Sequence, residues 1–255
     1  MITVTDLTVQ LNGQGILHQV ALQALPGEVT VLLGPNGSGK TTILRCVSAE
    51  IRPQGGAVTL AGQPLAGLPR RDLARLLALV PQEHHPVFPY TVREMILLGR
   101  VSRVGFWSQP GRQDQEVVAE IIELLGIKAL AHKPYTRISG GERQLVLIGR
   151  GLAQEPQIFL LDEPTSHLDF KNQISVLKLV RDLARQRRLT VLLTLHDPNL
   201  ALLFGDRVIL LAGGRVVAQG PPGEVIDAGS MARLYGLEVE MLSLGSQRLL
   251  CPKLS

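Results

Sequence analysis

Gly34-Pro35-Asn36-Gly37-Ser38-Gly39-Lys40-Thr41 follows Val29-Thr30-Val31-Leu32-Leu33, an almost wholly apolar run with the pattern of a buried parallel strand. The stretch has the form G-x-x-x-x-G-K-[ST], and the residues after it, 40–49, read as a helix. Each part has a chemical reason. Glycines let the backbone turn tightly and aim successive N–H groups at an anion where a side chain would obstruct it. A helix N-terminus adds unsatisfied N–H groups and partial positive charge. Lys40 offers a full positive charge to the β and γ phosphates of a nucleotide, and the Thr41 hydroxyl is a ligand for Mg²⁺. Thr42 completes the candidate nucleotide-binding set, Gly34, Pro35, Asn36, Gly37, Ser38, Gly39, Lys40, Thr41 and Thr42. The bland alternative, a glycine-rich turn with a capping lysine, leaves the strand–loop–helix context unexplained.

Upstream of this loop, Ile2, Val4, Leu7 and Val9 interleave with Thr3, Thr5 and Thr8, the alternation of a half-buried strand. Val20, Leu22 and Ala24 repeat it before the Pro26-Gly27 turn. Downstream, a strand over 57–60, a helix over 70–75 and an apolar run over 76–80 lead to Pro81. Residues 91–153 read as a mostly helical insertion. In it, Val117, Ile121, Leu124 and Leu125 share one face of a helix over 114–125, and 140–153 forms another helix. Alternating elements then resume: strand 158–161, helix 170–187, strand 190–194, helix 199–204, and a hairpin around Gly213-Gly214. Arg181, Arg185, Arg187 and Arg188 read as a solvated helix end favoured by the dipole. The tail, 223–255, reads as short helices.

The strand Ile158-Phe159-Leu160-Leu161 ends in Asp162-Glu163. Adjacent strand residues point to opposite sides, so the two acids have separate tasks. Asp162 suits Mg²⁺, through its water shell, and Glu163 suits a water attacking the γ-phosphate. An isolated pair would read as a solvated strand end. Here it lies at the carboxyl edge of the same kind of sheet as Lys40, where ligands gather in open α/β folds.

Composition bounds the rest. The 255 residues are 45 % hydrophobic and 19 % charged, with 26 basic and 22 acidic side chains for a net charge of +4. That balance accommodates an anionic ligand and is too weak to imply nucleic acid. No apolar run approaches the roughly 18 residues needed to span a bilayer. Cys46 and Cys251 make neither a zinc spacing nor a disulfide framework, and Met1-Ile2-Thr3-Val4-Thr5-Asp6 lacks the pattern of a signal peptide. The expectation is a cytoplasmic chain, with mean hydropathy +0.19 hinting at partner surfaces.

Between the two sites lies Ile138-Ser139-Gly140-Gly141-Glu142-Arg143-Gln144. With the phosphate loop and the acidic strand end, in that order, it resembles the LSGGQ motif of the ABC-transporter ATPases, and the resemblance runs from about residue 7 to 220. It implies one α/β domain over 1–255, with a P-loop NTPase (RecA-like) parallel-sheet core and an N-terminal antiparallel β subdomain. The core lobe would be 1–90 and 154–222, the helical subdomain 91–153 and the tail 223–255. It also implies ATP, Mg²⁺ and a head-to-tail pair of chains. In such a pair Ser139, Gly140, Gly141, Glu142 and the D-loop Asp169 (Ser166-His167-Leu168-Asp169) face the nucleotide held by the other copy. Gln82 matches the glutamine that contacts Mg²⁺ or water, and His196 the switch histidine that positions the attacking water with Glu163. Three departures stand out. Leu11 replaces the aromatic that stacks on adenine. Glu142 replaces the usual glutamine and needs turning away or pairing, with Arg143 as a candidate partner. Gly149 and Gly151 sit inside a helix, at about 1 kcal/mol each relative to alanine, without a reason legible in the sequence.

Thr165-Ser166-His167-Leu168-Asp169-Phe170-Lys171-Asn172-Gln173, Thr91-Val92-Arg93-Glu94 with Leu98-Gly99-Arg100, and Leu234-Tyr235-Gly236-Leu237-Glu238-Val239 are similar to the ATPases of iron-siderophore, haem and cobalamin importers. Molybdate and tungstate importers share much of this pattern. The resemblance implies a separate membrane permease, indirectly a substrate-binding protein, no nucleic acid, and a peripheral place on the cytoplasmic face of the inner membrane. A soluble ABC ATPase acting in DNA repair or on the ribosome is the competing class; its tandem domains, coiled coils and zinc modules are missing from this sequence. Val87-Phe88-Pro89-Tyr90 reads either as a permease contact or as packing of the insertion. His84-His85 has no evident third ligand.

Overall fold

A computed structural model describes residues 1–82, 88–104, 109–166, 168–245 and 247–253. The chain divides into two compact units, Met1–Leu68 with Leu177–Ser255, and Pro69–Val176. His84, His85, Val87 and His167 lie outside the described residues.

In the first unit, β1 (Ile2–Leu11) and β2 (Gln14–Ala24) form an antiparallel hairpin. Its turn, Asn12-Gly13, has φ of +50° and +78°, the positive pair that suits the twist of two strands. The alternation holds: Ile2, Val4, Leu7 and Val9 are buried. Strand β3 (Val29–Leu33) is buried throughout and leads to α1 (Lys40–Val47). Strands β4 (Gly55–Leu60) and β5 (Gln63–Pro64) extend the antiparallel sheet to the order β2-β1-β4-β5.

The second unit opens with α2 (Arg70–Leu76) and β6 (Leu77–Val80), continues through α3 (Val92–Leu97), α4 (Arg112–Leu124) and α5 (Gly140–Ala153), and reaches β7 (Ile158–Leu161). Strands β6 and β7 are parallel, with Val80 opposite Leu161. The expected helical segment 91–153 falls inside this unit, which also holds those two strands. One expectation is corrected here. Helix α4 buries Val118, Ile121, Ile122 and Leu125, whereas Leu124 is 41 % exposed. Both sets obey helical spacing and share Ile121 and Leu125, which close on the bare backbone of Gly149 in α5; the observed face is turned from Val117 and Leu124 toward Val118 and Ile122.

Helix α6 (Phe170–Arg187) returns the chain to the first unit. There β8 (Thr190–Leu195), α7 (Pro198–Phe204), β9 (Arg207–Ala212) and β10 (Arg215–Gly220) follow. Strand β3 lies parallel between β8 and β9, and β10 pairs antiparallel with β9 through Gly213-Gly214. The end of α6 is more tethered than its arginines suggest. Arg181 Nη1 donates to Leu203 O at 3.1 Å with its guanidinium 5.2 Å from the Phe204 ring centroid, and Arg185 pairs with Asp206 at 3.1 Å. Arg187 and Arg188 sit on the exposed end of the helix as expected. The tail also departs from expectation. After α8 (Pro222–Val225) and α9 (Ala228–Tyr235) it forms an antiparallel hairpin, β11 (Val239–Leu244) and β12 (Gln247–Pro252), turning near Gly245 at φ +61°.

Candidate functional site

The phosphate loop grows directly from β3. Leu33 is level with Leu195 on β8 and with Leu210 on β9, so Gly34 and His196 leave the carboxyl ends of neighbouring strands at the same height. A side chain at Gly34 would strike the Leu211 carbonyl and come within 2.8 Å of Ser38 Oγ. Gly39 stands at φ +102°, and a Cβ there would lie 2.5 Å from Leu17 Cδ2. Helix α1 therefore starts on a glycine N-cap that makes no side-chain bond to the first-turn N–H groups. Those donors are what an anion at this end would take.

Two polar side chains of the loop are buried. Lys40 is only 5 % exposed, and its ammonium donates to Gly34 O at 2.8 Å and Pro35 O at 3.1 Å. Ser38 is 3 % exposed, and its Oγ has no hydrogen-bond partner among the described residues. A buried hydroxyl left without a partner costs roughly 1–3 kcal/mol, which a phosphate oxygen would recover. Pro35, Asn36, Gly37 (φ +77°), Thr41 and Thr42 lie in the same loop and first turn. His196 is exposed at the end of β8, and Asp197 beside it caps α7 by accepting from Asn199 N at 2.7 Å.

The second unit assembles the acidic set. Asp162 N donates to Val80 O at 2.9 Å, which carries the β6–β7 register one residue beyond the strands. The Asp162 carboxylate is buried, whereas Glu163 is half-exposed. Glu163 has φ +47°, a left-handed conformation that a non-glycine residue seldom adopts. Ser166 holds the turn closed: its N–H and Oγ both donate to Glu163 O, at 3.1 and 2.9 Å. Gln82 Nε2 donates to Glu163 Oε2 at 2.7 Å, so the expected glutamine and the expected base are in direct contact. Backbone strain fixed by a tight turn at a carboxylate is common where a side chain must be aimed.

The Ser139 turn is a capping box. Ser139 Oγ accepts from Glu142 N at 3.3 Å, and Glu142 Oε2 accepts from Ser139 N at 2.7 Å. Glu142 is thus turned back onto its own helix start. Arg143 does not pair with it: Nη2 donates to Thr136 O at 2.8 Å and the guanidinium lies over Tyr135, 5.9 Å from the ring centroid. The Ser139 backbone and hydroxyl bonds hold the Glu142 carboxyl below its ordinary range. Gly140 is exposed at the helix start. Gly141 is buried, and a Cβ on it would meet the Asn172 side-chain amide at 2.8 Å. Asp169 is exposed and caps α6, its Oδ1 accepting from Asn172 N at 2.8 Å.

Helix α5 also supplies the missing reason for its glycines. A Cβ on Gly151 would lie 2.5 Å from Phe159 Cε2, and one on Gly149 2.8 Å from Leu125 Cδ1. Leu11 is exposed at the end of β1. Phe88 is 60 % exposed, with its ring edge-on to Tyr90 at 5.8 Å between centroids. Asn172 and Tyr235 lay inside the importer-like stretches with no role of their own, and Asn199 read only as the start of a helix; the hydrogen-bond partners of Asn199 and Tyr235, Leu250 and His196, are distant in sequence. Among the described residues, no group of three or more His, Cys, Asp or Glu side chains is arranged to hold a metal ion, and no helix is long and apolar enough to cross a membrane.

Comparison with known proteins agrees with these motifs. The sequence profile of the ABC transporter family matches residues 17–166. Among the similar curated relatives is the hemin import ATP-binding protein HmuV of Burkholderia pseudomallei, 37 % identical over 262 residues, covering 96 % of both chains. Among solved structures, an inward-facing ABC transporter assigned to the metal-chelate type covers 99 % of this chain and 97 % of its own, at TM-score 0.88 and 28 % identity. A dimeric ATP-binding cassette in a post-hydrolysis state, bound to ADP and Pi, covers 87 % of this chain and 99 % of its own, at TM-score 0.76 and 26 % identity. The chain belongs to the ABC transporter family, as one of its ATP-hydrolysing subunits.

Proposed function

We propose that this subunit drives an importer of haem or a closely related metal chelate, working as a head-to-tail pair of identical chains on a separate membrane permease. The observation that carries the reading is similarity over 96 % of the chain to hemin import ATP-binding proteins. The likeness to a transporter assigned to the metal-chelate type supports the same class of cargo.

In this reading the phosphates of ATP rest on the N–H groups that open α1, with Lys40 exchanging the Gly34 and Pro35 carbonyls for phosphate oxygens and Ser38 Oγ gaining its partner. The Thr41 hydroxyl and the Asp162 carboxylate are hard oxygen donors of the kind Mg²⁺ prefers, and Gln82 keeps its Oε1 available while Nε2 engages Glu163. Bound there, Mg²⁺ would neutralise charge on the β and γ phosphates. Glu163 accepts a proton from the attacking water, held in one orientation by Gln82 and by the Ser166 turn, and His196 positions that water. Ser139, Gly140 and Gly141 offer a capped helix start to the nucleotide of the second copy, with Asp169 close to it in the partner-facing loop. Glu142, locked in its capping box, keeps its carboxylate off that phosphate. Exposed Phe88 belongs to the permease contact.

Two measurements test this. Glu163→Gln should retain ATP binding and lose turnover by about a hundredfold or more, the usual scale for a lost general base; undiminished turnover removes Glu163 from the role. Deleting the subunit in its native host should abolish uptake of haem and leave molybdate uptake intact. Loss of molybdate uptake alone would move the chain to the oxyanion importers, and co-purification with nucleic acid in place of an integral membrane protein would reject transport.

A further inference from the structure

The segment after β8 carries His196 and then starts α7, and the far C-terminal hairpin grips it. Asn199 sits on the first turn of α7, where its backbone N–H already serves the Asp197 cap. Its side chain does something separate. Asn199 Oδ1 accepts from Leu250 N at 2.7 Å, and Asn199 Nδ2 donates to Leu250 O at 3.2 Å. The amide thus imitates a neighbouring strand and closes the outer edge of β12, which pairs on its other side with β11. Leu250 and Leu200 are buried where α7 meets β12. A second hold comes from α9: Tyr235 Oη donates to His196 O at 3.5 Å, a long bond in which a small shift of either partner matters. The hairpin is itself anchored, because Arg248 Nη1 donates to Gly223 O at 2.9 Å.

We infer that α9 and the β11–β12 hairpin form a strap that fixes the backbone of His196, with Asn199 and Tyr235 as its positioning residues. The inference rests on the proposed role of His196 in ATP hydrolysis. Each acts by holding the chain at or just after the histidine. The strap sets where the imidazole points, so its loss should lower the rate of the chemical step and leave nucleotide binding alone. A displacement of order 1 Å at such a group is worth up to a hundredfold in rate.

The test is a mutant cycle in the full chain, read by single-turnover ATP hydrolysis. Asn199→Ala should lower the rate about tenfold and Tyr235→Phe a few-fold, with the apparent affinity for ATP within about twofold of wild type. In a His196→Ala background, the same two changes should produce no further loss, because their effect passes through that residue. Equal losses in both backgrounds, or unchanged rates in the single variants, overturn the strap. Undiminished hydrolysis by His196→Ala alone overturns the histidine's role and the strap with it, whereas loss in that variant with unaffected strap variants overturns the strap only. Asn199→Asp, which keeps the acceptor for Leu250 N and loses the donor to Leu250 O, gives a conservative partner if Asn199→Ala folds poorly; it should fall between wild type and alanine, and a rate equal to wild type counts against the inference.

Discussion

At the scale of single residues, two glycines in α5 show how packing decides a choice that local preference would reverse. Alanine at position 151 would gain about 1 kcal/mol of helix propensity. It would also drive a methyl group to 2.5 Å from the Phe159 ring, in a core strand with no room to yield. Overpacking of this kind is worth about 1–3 kcal/mol, so Gly151→Ala should lower stability in urea denaturation. Gly149→Ala should be milder, because its nearest neighbours are the methyl ends of Leu125, Ile96 and Ile121. Glu142 makes a prediction of another kind. Its carboxyl is held below the ordinary 4.5 by hydrogen bonds from Ser139. The ionised form is therefore favoured by folding, so the stabilisation is present above pH 4.5 and drains away as pH falls through the lowered value. NMR titration should find that carboxyl below 4.5, and Glu142→Gln should flatten this part of the acid limb of the stability curve. The phosphate loop and the acid pair were legible in sequence because their chemistry is written into consecutive residues. The glycines of α5 were not, since Phe159 and Leu125 reach them only through the fold.

Among the elements, the helical part of the second unit is pinned by one buried cation. Arg100 is 5 % exposed in its side chain, bonding Asp114 at 2.9 Å and Glu155 at 2.7 Å, with Nη1 also donating to Ala153 O at 2.8 Å. Asp114 serves twice, since it also accepts from Gly111 N at the start of α4. Next to it, Arg103 donates to the carbonyls of Gln154 and Glu155 at 3.0 and 2.8 Å. The start of α4 and the end of α5 thus share one guanidinium. Arg100→Met should destabilise by about 3 kcal/mol, since removing one partner leaves Asp114 with an unpaired and mostly buried charge. Arg100→Lys should recover little of it, because a single ammonium cannot reproduce three bonds in two directions. Thermal or chemical denaturation measures both. Element types followed from periodicity along most of the chain, yet periodicity left the face of α4 open between two sets one step apart. The hairpin of β11 and β12 escaped because its two strands carry few buried side chains, and the hydrogen bonds that hold it to α7 come from one asparagine amide.

On the scale of the whole molecule, ATP should act as a folding ligand. At a hundred times its dissociation constant, a nucleotide adds about 2.7 kcal/mol, or roughly 5–10 °C in a chain of this size. Lys40→Ala should remove most of that shift in thermal melting without Mg²⁺, and a full shift in the variant would reassign the phosphate contact. Family and architecture were readable from motif order, whereas cargo was not, because the motifs of this sequence are written for a nucleotide and its phosphates. The Ser139 turn and the phosphate loop belong to different compact units of one chain. In a pair that shares its nucleotides head to tail, two inactive proteins should therefore complement each other. Mixing Lys40→Ala chains with Ser139→Arg chains places both defects at one site of each mixed pair and leaves the other intact, so about a quarter of wild-type turnover should return from two preparations that have almost none.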